Sequence, residues 1–190
     1  MSQFIESIRF EDGQFHLLPF HQERVNRTFA TFFPGEESLV LDAILPGFNE
    51  EGKYKFRVVY DHSSYSVEHA PYQPKDIRTV NIVEANEFDY SFKYADRTEL
   101  NEMLKQADAD EIIIVKNGFI TDTTYANIAC FDGHDWWTPE RPLLNGTKRA
   151  DLLNRGILKT RNIHPEELGS FQKVCIINAM LDLDDILLPI

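Results

Sequence analysis

Short segments in which apolar and polar residues alternate run through the whole chain, and turn signals separate them. Such alternation places the apolar side chains on one face of a β-strand. Asp12-Gly13 and Asn117-Gly118 each stand between two of these segments, and both dipeptides are typical of two-residue hairpin turns. Alternation, together with the run of branched residues at 111–116, predicts strands at residues 4–9, 14–17, 53–60, 65–69, 78–83, 111–116, 119–120, 128–131, 136–137 and 174–177.

Other segments repeat apolar residues at the spacing of an α-helix. Val25, Phe29 and Phe32 follow this spacing within residues 20–33, and Pro34-Gly35 ends it. We predict three more helices, at residues 39–45 with Ser38 as the N-cap, at 98–107 and at 147–159. Strands and helices interspersed with several hairpins predict an α/β fold of the mixed α+β kind.

A short polar stretch with two prolines interrupts the pattern at residues 69–75, and this composition is typical of a linker. The linker predicts a small N-terminal α/β domain at residues 1–74. It also predicts a larger C-terminal domain at residues 75–190, which would carry the candidate catalytic lysine. A chain of 190 residues can bury a sizeable core in this arrangement.

The amino-acid composition limits the kinds of partner that the protein can bind. A net charge of −12 argues against nucleic acid and against an anionic membrane surface, although local basic groups can still bind a small anionic substrate. No apolar segment reaches the roughly 20 residues of a membrane span, and the first residues lack a signal-peptide pattern, so we expect a cytoplasmic protein. Cys130 and Cys175 lie in apolar strands and are expected to be buried free thiols. The six histidines show no ligand spacing and predict no metal site.

Lys93 is the strongest candidate for a catalytic residue, because it stands among Tyr90, Phe92 and Tyr94 just before a predicted helix. A lysine that attacks an aldehyde must be a free amine, and apolar or cationic surroundings favour that form. The alternative is an exposed lysine at the end of a strand. Local sequence leaves both possibilities open.

Three further segments carry groups that suit pyridoxal phosphate. Asp122 is a carboxylate that can keep the pyridine nitrogen of this cofactor protonated, and Asn127 can orient it. Gly146-Thr147 opens a predicted helix, where exposed backbone N–H groups suit a phosphate. The alternatives are an exposed aspartate at a strand end, an asparagine in a turn and an ordinary capped helix.

Two arginines extend this list. Arg24 shares a helix face with His21 at a spacing of three residues, and its planar guanidinium can bind a phosphate. A surface arginine on an amphipathic helix is the alternative. Arg57 lies inside a predicted strand and can meet a substrate carboxylate.

Taken together, the motifs resemble the class IV aminotransferase family, the fold-type IV pyridoxal-phosphate enzymes. Within that family the segments resemble most those of the 4-amino-4-deoxychorismate lyases, and His21-x-x-Arg24 matches the family's His-x-x-Arg. The matching segments are Lys93-Tyr-Ala-Asp-Arg97, Ala109-Asp-Glu111, Asn145-Gly146 with Arg149, and Asn178-Ala179-Met180.

The resemblance implies a two-domain fold like that of D-amino acid aminotransferase, a homodimer, and pyridoxal phosphate held between the domains. It implies that Lys93 is catalytic and that Arg57 and Arg97 bind the substrate, a small anionic amine. The reaction would release pyruvate from aminodeoxychorismate and leave 4-aminobenzoate, a folate precursor. The implied cofactor-binding residues are Lys93, Arg24, Asp122, Asn127, Gly146, Thr147, Lys148, Asn178 and Ala179.

The chain departs from the family in three ways. Asp122 stands where the family has a glutamate, and Lys148 stands where its transaminases have a threonine. The chain is also shorter than typical members. Within the family, the alternative is a transaminase for branched-chain or D-amino acids. The short length and Asp122 motivate a second alternative, a degenerate member that binds cofactor or a partner without turnover.

Overall fold

The computed structural model describes residues 2–190, which form two compact units. Unit 1 comprises the chain up to Gln73 together with Phe92–Asp96. Unit 2 comprises Pro74–Ser91 and Arg97–Ile190. Strands and helices occur in both units, so the predicted mixed α/β architecture is confirmed.

The segment Phe92–Asp96 lies in unit 1, although it falls within the range 75–190 that we predict for the second domain. Backbone hydrogen bonds to the first strand hold it there. Ile5 N–H donates to the Lys93 carbonyl at 2.9 Å, and Ala95 N–H donates to the Gln3 carbonyl at 2.8 Å. The candidate lysine therefore belongs to unit 1.

Unit 1 contains one antiparallel sheet with strand order β2-β1-β3-β4. Its strands are β1 Phe4–Glu11, β2 Gln14–Phe15, β3 Tyr54–Tyr60 and β4 Tyr65–Pro71, and its helices are α1 Leu18–Phe32 and α2 Leu41–Ile44. Asp12 and Gly13 join β1 to β2 with φ angles of 53° and 76°, as a two-residue hairpin turn requires. The core lies between α1 and one face of the sheet, where Phe4, Ile8 and Val25 are fully buried.

Unit 2 contains a sheet with strand order β10-β9-β8-β7-β6-β5, in which β11 also pairs with β8. Its strands are β5 Val80–Glu84, β6 Glu111–Lys116, β7 Phe119–Thr123, β8 Asn127–Phe131, β9 Trp136–Pro139, β10 Leu158–Arg161 and β11 Lys173–Ile177. Its helices are α3 Thr98–Ala107, α4 Thr147–Asn154 and the 3-10 helix Pro165–Ser170. Five consecutive residues of β6 are buried, which agrees with its predicted run of branched side chains.

Several predicted boundaries are wrong. Helix α4 ends at Asn154 rather than at residue 159, because Gly156 takes a φ of 68° and the chain continues into β10, which was not predicted. Ser38 does not cap α2, since its hydroxyl donates to Asn26 Oδ1 at 2.8 Å and Val40 occupies the N-cap. Strand β4 extends to Pro71, so it takes up the first part of the predicted linker.

Both cysteines are buried free thiols, as predicted. Within residues 2–190, no helix is long and apolar enough to cross a membrane.

Two paired residues of unit 2 that differ in burial test whether the buried face of its sheet provides the stability of the unit. Ile113 of β6 is fully buried, whereas its register partner Ile82 of β5 is 51% exposed. Ile113→Ala should lower the free energy of unfolding by about 2–5 kcal/mol, because it leaves a cavity. Ile82→Ala should cost about 0.5 kcal/mol or less. Urea denaturation of both variants checks this, and equal losses would contradict the core assignment.

Candidate active site

A buried carboxylate in unit 1 organises the residues around α1. Glu6 lies on the core-facing side of β1 and is fully buried. Arg24 donates to it twice, from Nε to Oε1 at 2.8 Å and from Nη2 to Oε2 at 2.5 Å. His21 Nδ1 lies 2.5 Å from Oε2. Both hydrogen-bond partners of Glu6 come from α1, on the face shared by residues three apart.

The charges in this cluster follow from its contacts. Burial raises the pKa of Glu6, but the charge and hydrogen bonds of Arg24 and the hydrogen bond of His21 outweigh burial and lower it to about 2. Burial lowers the pKa of His21. An ionised Glu6 can only accept, so Nδ1 of the neutral His21 ring must carry the proton. Nε2 is therefore an acceptor, and it is buried without a hydrogen-bond partner among residues 2–190.

Lys93 lies near this imidazole. Its positive charge contributes to lowering the pKa of His21, as does the charge of Arg24. Lys93 is half-buried, between Phe92, which forms an edge-to-face contact with Phe32, and Tyr94, which packs on Phe4. The lysine that the sequence singles out therefore stands in a partly apolar setting beside a neutral imidazole and a buried arginine. The structure also excludes the alternative of a surface location for Arg24, which is 7% exposed.

A second buried carboxyl lies in unit 2, where β7 and β8 meet. Asp122 is 4% exposed, so the alternative of an exposed strand-end aspartate is wrong. Oδ1 accepts from Asn127 Nδ2 at 2.7 Å, and Oδ2 accepts from Leu144 N–H at 2.8 Å. Burial raises the pKa of Asp122 to about 6, and these hydrogen bonds and the charge of Arg149 offset only part of that effect.

Asn127 connects Asp122 to the start of α4. It is the first residue of β8 rather than part of a turn, and its Nδ2 also donates to the Leu144 carbonyl at 2.8 Å. Gly146 lies against it, since a Cβ added to Gly146 would come within 2.0 Å of Asn127 Oδ1. Gly146 has an ordinary φ of −69°, so the close approach, not the backbone conformation, requires glycine here.

Helix α4 starts directly after Gly146 and has no side-chain cap. Backbone N–H groups in the first turn of a helix have no partner within the helix, and the helix dipole favours an anion there. The Lys148 ammonium contacts the Asp182 carboxylate. Arg149 Nη2 donates to the Pro139 carbonyl at 2.8 Å, and its buried Nε has no hydrogen-bond partner among the described residues. Thr147, Lys148 and Arg149 are all buried.

Asn178 serves its own loop and a neighbouring turn. Its Oδ1 accepts from Met180 N–H at 2.8 Å and from Leu181 N–H at 3.1 Å. Its Nδ2 lies 3.5 Å from the Tyr125 carbonyl, and Ala179 beside it is buried. The polar side-chain atoms of Asn178 are therefore used in contacts with backbone groups of the protein.

The two arginines predicted to bind substrate have different surroundings. The Arg57 side chain is 40% exposed on the face of the unit 1 sheet opposite its core, and Nη1 lies 4.0 Å from Glu68 Oε2. Arg97 is half-buried in unit 2, where Nη2 donates to the Thr124 carbonyl at 2.7 Å. Arg57 is available to a ligand, whereas part of the Arg97 guanidinium is used within the protein.

Two buried carboxyl groups were not among the predicted site residues. Glu6 occupies an apolar position in the alternation of β1, between Phe4 and Ile8. A charged residue on an apolar face needs an ionic partner, so this position was the signal for a buried pair. Glu111, also fully buried, accepts from Thr124 N–H at 2.9 Å. Its match to the Ala-Asp-Glu motif drew attention to the residue but gave no role for its side chain.

The contact between Gly146 and Asn127 predicts the effect of one methyl group. Gly146→Ala should displace the Asn127 amide and break its bond to Asp122, which we expect to cost about 2 kcal/mol of unfolding free energy. Gly169→Ala is the control, because no atom lies within 4 Å of its added Cβ. Thermal and urea unfolding of both variants measure the difference. Equal stability of the two would show that Asn127 moves at no cost.

The Glu6 cluster predicts a pH dependence of stability. A carboxyl whose pKa falls from 4.5 to about 2 on folding stabilises the protein fully above pH 4.5 and loses that contribution as the pH falls through about 2. Glu6→Gln should therefore cost about 3 kcal/mol or more at neutral pH, and the difference from the unmodified protein should shrink at low pH.

Urea unfolding at several pH values measures this difference. Glu37→Gln serves as the control, because Glu37 is an exposed residue of the same unit. A Glu6→Gln difference that stays constant from neutral pH to the acid range would contradict an ionised Glu6.

Known proteins support the family predicted from the motifs. The family model described as amino-transferase class IV matches residues 3–186. The crystal structure of a provisionally named 4-amino-4-deoxychorismate lyase from Haemophilus somnus 129pt is 34% identical, covers 95% of this chain and 97% of its own, and superimposes with a TM-score of 0.88. An uncharacterised protein of Haemophilus influenzae is 32% identical over 95% of this chain and 98% of its own.

A more distant structure has the same fold. It is a hypothetical aminotransferase from Mycobacterium tuberculosis in its PLP-bound form, 16% identical, with a TM-score of 0.72 over 94% of this chain and 78% of its own. The predicted fold class and the prediction of an enzyme are confirmed by these similarities. The chain belongs to the class IV aminotransferase family.

Proposed function

We propose that the protein is a pyridoxal-phosphate-dependent lyase that releases pyruvate from 4-amino-4-deoxychorismate and leaves 4-aminobenzoate for folate synthesis. The observation that carries the proposal is the setting of Lys93, a half-buried amine beside a neutral imidazole whose Nε2 is an acceptor. The similarity to the Haemophilus somnus protein, 34% identical over 95% of this chain, supports the lyase subgroup.

The chemistry of the available groups fits the cofactor. Unit 1 supplies the Lys93 amine, and unit 2 supplies the buried Asp122 carboxyl and the first turn of α4 with its backbone N–H donors. When bound, pyridoxal phosphate supplies an electron-withdrawing ring that stabilises negative charge on the substrate carbon. We assign Gly146, Thr147 and Lys148 to the phosphate through their backbone, because the Lys148 ammonium is already engaged by Asp182.

We assign the remaining cofactor contacts from the family resemblance. We propose that Arg24 contributes positive charge toward the phosphate while Glu6 holds its guanidinium in place. Asn127 orients Asp122 through their 2.7 Å hydrogen bond. Asn178 shapes the loop that presents Ala179.

Lys93 acts twice in the proposed reaction. Its Nζ would be the group that holds the cofactor aldehyde before the substrate amine arrives. As a free amine, the same Nζ would take the proton from the carbon that bears the substrate nitrogen. His21 Nε2 lacks a proton and is free to accept a hydrogen bond from Nζ, while the positive charge of Arg24 beside the same ring disfavours an ammonium at Nζ. Asp122 holds a proton at the pyridine nitrogen, and a positive partner there would lower its pKa from about 6.

The substrate class follows from the products. Pyruvate and 4-aminobenzoate each carry one carboxylate, so the compound that yields both is a dicarboxylate. The antiparallel register places Arg9, Lys55 and Arg57 on the same face of the unit 1 sheet. We assign Arg57 to a substrate carboxylate because its side chain is 40% exposed and its nearest acidic group is 4.0 Å away, a weak surface pair.

The substrate is thus a small anionic amine. We propose further that the protein acts as a homodimer, which the family resemblance supports, and that it acts in the cytoplasm.

Product analysis tests this function. Purified protein with pyridoxal phosphate should release pyruvate and 4-aminobenzoate from aminodeoxychorismate, and Lys93→Ala should lower the rate by at least about 1,000-fold because both roles of the amine are lost. Lys105→Ala, a substitution on the exposed side of α3, is the control and should keep full activity. Amino-group transfer to an oxo acid without pyruvate release would identify a transaminase instead. Tight cofactor binding without either reaction would identify a non-catalytic member.

A further inference from the structure

The turn between β7 and β8 carries the two residues that define the carboxyl site of unit 2. Asp122 and Asn127 are register partners on either side of it. Thr123 N–H donates to the Ala126 carbonyl at 2.9 Å, which leaves Thr124 and Tyr125 at the tip. The conformation of this turn therefore determines where Asp122 and Asn127 point.

This turn lacks the residues that make a tight hairpin stable by itself. Two-residue hairpin turns match the twist of their strands when a central residue has positive φ, which glycine or asparagine provides. The hairpins at Asp12-Gly13 and Asn117-Gly118 follow this rule, with φ between 53° and 81°. No residue from 122 to 127 is among the described residues with positive φ. The turn needs support from outside its own sequence.

Two side chains provide that support at the backbone of a single residue, Thr124. Glu111 Oε1 accepts from Thr124 N–H at 2.9 Å, and Arg97 Nη2 donates to the Thr124 carbonyl at 2.7 Å. Thr124 is 4% exposed, so each polar atom of its backbone needs a partner within the protein. Glu111 is the first residue of β6, and Arg97 directly precedes α3. The two hydrogen bonds therefore connect the turn to both of these elements.

A third contact lies on the neighbouring residue. The Lys75 ammonium is 3.8 Å from Glu111 Oε2 and 4.6 Å from the centre of the Tyr125 ring. Lys75 therefore links Glu111, which accepts from the Thr124 N–H, to Tyr125 at the tip of the turn. The Lys75 side chain is 54% exposed, so this contact adds less than the two buried hydrogen bonds.

We propose that Arg97 and Glu111 are positioning residues that hold the backbone C=O and N–H of Thr124 and thereby fix Asp122 and Asn127 in their observed pairing. The positioning of Asp122 follows from the contacts alone. Its consequence, that Asp122 meets the cofactor in one defined orientation, rests on the proposed function. It replaces the predicted role of Arg97 in binding the substrate. Arg97 acts through the turn and touches neither substrate nor cofactor.

The test separates this role from substrate binding by measuring Asp122 without cofactor or substrate. Carbon-13 NMR of protein labelled at aspartate carboxyl groups follows the titration of Asp122, whose pKa is about 6 in the intact site. Arg149 is the charged side chain that influences this titration, and it remains unchanged in every variant. The measurement requires no activity, so it remains informative even if the proposed reaction is wrong.

Arg97→Gln should loosen the turn, let water reach Asp122 and move its titration midpoint from about 6 toward about 4, the ordinary value for aspartate. Arg97→Lys retains a cationic donor and should restore at least half of the shift. Glu111→Leu, which removes the partner of the Thr124 N–H, should move the midpoint in the same direction. Arg78→Gln is the matched control, because that side chain is 80% exposed in the same unit.

The kinetic outcome completes the test. We expect Arg97→Gln to lower kcat with pyridoxal phosphate at least tenfold while KM changes less than twofold. An unchanged Asp122 titration together with a raised KM would overturn the proposal and assign Arg97 to the substrate. If Arg97→Gln does not fold, Glu111→Leu decides: an Asp122 midpoint moved toward about 4 supports the proposal, and a midpoint that stays at about 6 in the folded variant overturns it.

Discussion

The ionised carboxylate of Glu6 in the core of unit 1 is the constraint on which the proposed chemistry depends. A lone charge at that depth would be strongly unfavourable, and three hydrogen bonds from Arg24 and His21 compensate for its burial. Because Glu6 must accept, it dictates which nitrogen of His21 carries the proton. The other nitrogen is left as a buried acceptor near Lys93. A residue that touches no substrate thus sets the protonation pattern around the candidate catalytic amine.

In the carboxyl site of unit 2, the pKa of the buried acid shifts in the opposite direction. Asp122 is as buried as Glu6, but its two hydrogen bonds come from the neutral donors Asn127 and Leu144 N–H. Burial therefore prevails, and its pKa rises to about 6 while that of Glu6 falls to about 2. Glu6 is a permanent anion that fixes its neighbours, whereas Asp122 is poised to change its protonation state when a charged group arrives. Two acidic residues with similar burial have different capabilities because their hydrogen-bond donors differ in charge.

Local sequence signals predicted the elements that local interactions determine. The turns at Asp12-Gly13 and Asn117-Gly118 and the helix Thr98–Ala107 occur where the pattern places them. Strand β10 was missed because its four residues follow a helix directly, and only pairing with β9 makes them a strand. The likeness to a known family pointed to Lys93, Arg24 and Asp122. Sequence could not show that Lys148 contacts Asp182, or that Arg97 holds the Thr124 carbonyl, because both contacts join residues far apart in the chain.

The central claim is that one lysine, Lys93, carries the cofactor. Incubation of the purified protein with pyridoxal phosphate, reduction with borohydride and peptide mapping by mass spectrometry test it most directly. The account predicts one stable adduct, on the peptide that contains Lys93. An adduct confined to another lysine, such as Lys148, or a protein that takes up no label under saturating cofactor, would contradict it.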